Sequence, residues 1–200
     1  MTLVSSWTKG GFECVDQSND GSHLTSITYA IREVSMPSDS ALPSSFGVSD
    51  FADAYEVPMS RPDLTVEQAY WGVFGEVPTW VRCLMILRGC IALRLGLAHS
   101  FREPAMSHEG VPIFEPGIRV GQFLVQSISE QELIVGNDDQ HLNFRISALK
   151  TEREGRTFLT ISTAVKIHNN LGRLYMCVVK PFHRFVAPHM VRRALRLGRL

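Results

Sequence analysis

The stretch GNDDQHLNFRISAL, residues 136–149, sets Asp138, Asp139, His141, Asn143 and Arg145 close together. Carboxylates beside a histidine can move protons, and a nearby arginine can anchor an anion or a polarised carbonyl oxygen. The same residues also fit a turn, because short polar side chains tolerate left-handed backbone and bond their own amides. Asp138 and Asp139 therefore read as turn residues rather than as a catalytic acid pair. After the turn the period is two. Leu142, Phe144, Ile146 and Ala148 share one face, and His141, Asn143, Arg145 and Ser147 share the other.

Two readings of these faces stand side by side. In one, the apolar face is core, the polar face is solvated, and Glu130 and Arg145 form an exposed cross-strand pair. In the other, the polar row lines a cavity, with Arg145 as anion or carbonyl anchor and His141 as a hydrogen-bonding partner for the ligand. Thr160, Ser162 and Ala164 on the following strand are small for a solvent-facing row, which favours space beside them.

Further candidates lie nearer the C-terminus. His168, Tyr175 and His183 fall where strand gives way to helix and can form a polar cavity end. His183 and His189 are six apart, on different helix faces, which is not metal-ligand spacing. Cys83 and Cys90 read as small buried apolar residues rather than nucleophiles. The four cysteines form no C-x-x-C pair and no disulfide framework, so a reduced, cytoplasmic setting is expected. Glycine patterns for phosphate or dinucleotide binding and the G-x-S-x-G elbow are missing. Neither a metal nor a cofactor is expected.

The elements that must position these residues follow from period and turn chemistry. With 200 residues, 44% of them hydrophobic, the chain can bury one core. Lys+Arg and Asp+Glu both number 20, so no bulk charge draws the protein to nucleic acid. Residues 1–26 read as a disordered leader and 27–200 as a single domain. Strand order begins near Ile27, Tyr29 and Ile31, and FADAYEVPM is a second extended run. Thr65 and Gln68 form a capping box for a helix with Val66, Ala69, Tyr70, Val73 and Phe74 on one face. Pro78 ends it, and a buried helix follows from Trp80 to Leu97, completing a helical corner at 65–97. Arg82, Arg88 and Arg94 argue against a membrane span there.

Beyond residue 110, VGQFLVQSI, QELIV, HLNFRISAL and RTFLTISTAVKIH alternate as strands, separated by turns at EPG, GNDD and EREG. Short loops imply an antiparallel meander. Its expected register sets Phe144 near Thr163, Arg145 near Ser162 and Glu130 near Arg145. A long C-terminal helix then buries Leu171, Leu174, Tyr175, Val178, Phe182, Phe185 and Val186, with kinks at Pro181 and Pro188.

This order of elements resembles the SRPBCC superfamily of START and polyketide-cyclase-like proteins. IREVSMPSDS, FADAYEVPM, IRVGQF, DDQHLNFR and IHNNLGRLYMCVVKPFHRFV resemble, more closely, an uncharacterised bacterial family of unknown function. The resemblance covers about residues 30 to 197, with DDQHLNFR and KPFHR its most specific parts. It implies an α+β helix-grip fold, a curved antiparallel sheet around the C-terminal helix with a hydrophobic cavity between them. It implies no reaction.

The expected function is binding of a hydrophobic or lipid-like small molecule by His141, Asn143, Arg145, Ser162, Tyr175, Phe182 and His183. One alternative is a cyclase- or isomerase-type enzyme in which His141 or His183 shuttles a proton on a carbonyl substrate. Another is a non-catalytic partner-binding module. Arg184, Arg192, Arg193 and Arg196 lie in a tail without carboxylates from Lys180 onward, which suits either weak contact with an anionic membrane or a merely solvated end.

Overall fold

A computed structural model of the chain describes residues 3–8, 11–16, 31–94 and 111–200. Alternating strands build one antiparallel sheet from β3 (Arg32–Glu33), β4 (Phe51–Pro58), β5 (Arg119–Val120), β6 (Phe123–Ile128), β7 (Glu132–Asp138), β8 (Leu142–Arg153) and β9 (Arg156–Ile167). Their spatial order is β3-β4-β9-β8-β7-β6-β5. The helices are α1 (Leu42–Phe46), α2 (Val66–Phe74), α3 (Thr79–Arg94) and α4 (Asn170–Arg196). The curved open sheet packs against α4 in the α+β helix-grip arrangement that the family resemblance implied. Of the expected leader, β1 (Leu3–Thr8) and β2 (Gly11–Asp16) pair as a two-stranded sheet of their own. The strand start expected at Ile27 and Tyr29 and the helix end at Leu97 lie outside the described residues.

Turn chemistry fixes a register that differs from the expected one. Glu154 and Gly155 have φ of 54° and 69°, so the β8–β9 hairpin turns on two left-handed residues, as right-twisted strands prefer. Phe144 consequently faces Val165, Arg145 faces Ala164, and Ser147 faces Ser162. The displacement is two residues, and an even shift keeps each side chain on its expected face.

The turn between β7 and β8 also lies further along than GNDD. Gly136 remains inside the strand opposite Arg145, at a position that only glycine fits, since a Cβ there would meet the Phe144 carbonyl oxygen at 2.1 Å. The chain reverses after Asp138, where the Asp139 amide donates to the Leu142 carbonyl at 3.1 Å. Glu130 and Arg145 are therefore not partners. Arg145 pairs with Asp138 at 2.7 Å.

The capping box forms as expected. The Gln68 amide donates to Thr65 Oγ1 at 3.3 Å and the Thr65 amide to Gln68 Oε1 at 3.0 Å. Val66, Ala69, Tyr70 and Val73 enter the main core with Leu133, Val135, Leu159, Ile161 and Met190. Two other expectations need correction. Cys83 and Cys90 are exposed on α3, as are Trp80, Ile86 and Leu87, while Val81 packs into the core. On α4 the buried set is Gly172, Tyr175, Met176, Ala187, Met190, Val191, Ala194 and Leu195, whereas Leu174, Val178, Phe182 and Phe185 are exposed. Apolar residues occupy more than one face of each helix, so spacing alone could not say which face the sheet takes. The helix runs on through Pro181 and Pro188, each of which deprives a carbonyl one turn earlier of its amide donor.

The sheet has a second cover. Residues 34–50, including α1, lie on the face away from α4, where Leu42 packs with Ile134, Ala164, Met36 and Phe46. Glu132 ties this cover down. It accepts hydrogen bonds from the Ser40 hydroxyl at 2.5 Å, the Ala41 amide at 2.7 Å and the Ser147 hydroxyl at 2.5 Å.

Candidate functional site

Between the sheet and α4 lies a cavity of about 280 Å³. Phe51 of β4, Phe123 of β6, Leu142, Phe144 and Ile146 of β8, and Ile161, Thr163 and Val165 of β9 form its sheet wall. The opposite wall is α4 from Tyr175 to Met190, and one end is closed by Phe74, Val77, Val81, Leu84 and Met85. Leu87, Val178 and Phe182 line the cavity yet are 52%, 40% and 47% exposed, so its mouth opens between α3 and α4. The wall is apolar because each strand turns its hydrophobic row inward. Phe123 and Phe144 meet edge to face at 5.5 Å.

Polar groups in the wall are few. His183 reaches from α4 toward β4, where its Nε2 stands 3.3 Å from both carboxylate oxygens of Asp53. The Asp53 side chain is 5% exposed, and its Oδ2 has no hydrogen bond of good geometry. Phe51 also meets the imidazole edge to face, with ring centres 5.8 Å apart. Across the strands Asp53 faces Thr163, whose side chain also lines the cavity. On the same row of β4, Tyr55 is buried beside the acid. Burial, with the charges of Asp53 and Glu33 adding to it, pushes its phenol up to about 12, so it stays protonated. A histidine oriented by a buried carboxylate can bind a polar group or move a proton.

A family model described as "Protein of unknown function (DUF2867)" matches residues 45–190. The chain belongs to this family. The match contains the whole cavity wall, which runs from Phe51 to Met190, and stops short of Arg192, Arg193 and Arg196. The crystal structure of CalU16 from Micromonospora echinospora is similar at 10% identity, covering 74% of this chain and 84% of that one, with a TM-score of 0.28. No curated protein matches.

The expected site residues divide between the two faces of the sheet. Tyr175, Phe182 and His183 line the cavity. His141, Asn143, Arg145 and Ser162 do not, because they belong to the opposite row of β8 and β9 or to the turn before it. His141 Nδ1 lies 2.9 Å from Asn169 Nδ2, and Asn169 Oδ1 accepts from the Gly172 amide at 3.0 Å to cap α4. The histidine thus joins the β7–β8 turn to the helix start. Asn143 Oδ1 accepts from the Asp139 amide at 3.2 Å. Arg145 donates to the Asn137 and Phe144 carbonyls and lies over the Phe46 ring at 5.3 Å. Ser162 is fully buried on the side of the second cover. An enzyme of the cyclase or isomerase type would therefore have His183 at hand, with Arg145 out of reach.

Asp53 is the residue that sequence reading missed. Its signal was present in FADAYEV, where the alternation places an acid between Phe51 and Tyr55 on the apolar row. An acid in such a row needs a partner from the element packed on top.

Among the described residues no group of His, Cys, Asp and Glu could hold a metal ion, and no helix is long and apolar enough to cross a membrane.

Proposed function

We propose that this protein binds one small, mostly apolar molecule between the sheet and α4, its polar end meeting His183 and Thr163. The observation that carries the reading is the cavity itself, an apolar space of about 280 Å³ with a few convergent polar groups and an open mouth. That volume falls just below the range of ordinary small-molecule sites, roughly 300–1,000 Å³, so the ligand is small. Tyr175, Phe182 and His183 keep their expected part as ligand contacts, and Phe182 acts at the rim. Titration with the neutral probe N-phenyl-1-naphthylamine tests the reading. Saturable fluorescence enhancement at one site per chain is expected, and a linear, unsaturable response would overturn it.

The mouth also supports weak contact with an anionic membrane. The two helices that frame it carry nine basic residues (Arg82, Arg88, Arg94, Arg173, Lys180, Arg184, Arg192, Arg193 and Arg196) and no carboxylate. They also carry seven of the eleven exposed large apolar side chains among the described residues. Arg193 is engaged by Glu76, whose carboxyl is held below the usual range by Arg199 first and by Arg193 as well. Arg184 and Arg196 are exposed. Each basic residue near an anionic surface contributes about 1 kcal/mol at low salt. Sedimentation should rise with the anionic fraction of the vesicles and fall when Arg184 and Arg196 become Gln. Equal sedimentation with neutral and anionic vesicles would leave these helices as a solvated face.

A further inference from the structure

The cavity wall says what kind of polar group its ligand carries. No lysine or arginine lines it, so a carboxylate or phosphate buried there would lose its water without gaining a counter-charge. Its most distinctive polar feature is the imidazole of His183, backed by an acid that is itself almost wholly buried.

The acid dictates which way the imidazole works. An ionised carboxylate can only accept, so the His183 nitrogen facing Asp53, Nε2, carries a proton. In the neutral ring the other nitrogen then presents a lone pair. Thr163, directly opposite Asp53 across the strands, adds a hydroxyl that can donate or accept. The negative charge of Asp53 behind this surface opposes a second anion. Lys180 stands nearby, its Nζ 5.2 Å from the centre of the Phe51 ring, but it does not line the wall. An acceptor in a wall that itself holds no cation matches a ligand that donates.

We propose that the ligand is an uncharged apolar alcohol or phenol whose hydroxyl donates to the His183 imidazole, and that the Asp53 carboxylate makes the cavity reject the corresponding carboxylic acids. This rests on the cavity-binding reading above and adds the ligand class to it.

A matched pair of ligands tests the proposal on the full chain. N-phenyl-1-naphthylamine is displaced at pH 8 by 4-propylphenol or by 4-propylbenzoate, which share one apolar body and differ in the head group. The phenol should compete at least about tenfold better, a difference of about 1.4 kcal/mol. In Asp53→Asn, where the amide oxygen can still accept from Nε2, the benzoate should gain and the ratio should shrink to about threefold or less. His183→Phe should weaken the phenol at least about threefold more than it weakens 4-propyltoluene, and equal weakening of the two would remove the imidazole from the explanation.

Each result decides something. If the benzoate competes as well as the phenol, or if the probe binds and neither ligand displaces it, the hydroxyl proposal is wrong while the cavity reading stands. If the probe itself does not bind, the cavity reading fails first. Preference unchanged in a folded Asp53→Asn chain removes the carboxylate from the explanation.

Discussion

The two faces of the sheet follow the same alternation of large and small residues but meet different neighbours. Toward α4, the row Leu142, Phe144 and Ile146, with Val165, Thr163 and Ile161 beside it on β9, leaves space between sheet and helix. Away from α4, the row of Ser147, Ser162 and Ala164 is covered closely by residues 34–50. The small side chains on that row mark a backbone lying near the sheet. They are not solvated, and they do not line the cavity on the α4 side. The polar groups of the two faces differ in the same way. Glu132 holds three donors and is consumed by structure, whereas Asp53 supports a histidine that faces the cavity.

Breaking the covered face should have the largest effect. Glu132→Ala removes the acceptor shared by Ser40, Ala41 and Ser147 in a site where Glu132 is 6% exposed. Stranded buried donors make a loss of about 3 kcal/mol the expected outcome of chemical denaturation. A loss below about 1 kcal/mol would mean that the second cover is not held by this carboxylate. The cavity side should be more tolerant. Phe182→Ala, at the half-exposed mouth, should cost less than about 1 kcal/mol of stability while weakening probe binding, well short of the roughly 3–5 kcal/mol that a fully buried phenylalanine loses. A loss in that higher range would place Phe182 in the core.

The smallest expected effect is at the far end of α4. His189 packs edge-on against Trp80 at 4.9 Å and is held below the ordinary histidine range, by burial first and then by the charges of Arg192, Arg196 and Arg193. The unfolded chain takes up this proton more readily than the folded one. Stability therefore stands in full above about pH 6.5 and is lost as the pH falls toward the lower folded value. His189→Gln should flatten the decline in denaturation midpoint between pH 7 and pH 5. The same decline in both proteins would show that other groups cause it.

Local features were legible in the sequence wherever a residue acts on its immediate neighbours. Thr65 and Gln68 named the start of α2, and alternation sorted residues 142–148 of β8 and Thr160, Ser162 and Ala164 of β9 onto the faces they share. Register was less legible because it depends on backbone that the pattern does not reveal. Gly136 reads as a turn residue but is a strand residue required by the close approach of Phe144, and Glu154 adopts a left-handed conformation that few side chains take. The site was half legible. His183, Tyr175 and Phe182 lay near a visible junction, whereas pairing Asp53 with His183 requires knowing that β4 passes beneath α4, a contact between residues 130 positions apart. His141, Asn143 and Arg145 looked chemical because turns and helix caps use the same polar residue types as active sites.

The proposed ligand is received by the α4-facing side of the sheet and not by its polar side. Probe titration of two variants tests this directly. Ala187→Trp fills the cavity from α4, and Arg145→Gln alters the opposite face. Binding should be lost in the folded Ala187→Trp protein and unchanged within about twofold in Arg145→Gln. Binding that survives the tryptophan and disappears with the arginine would contradict the account.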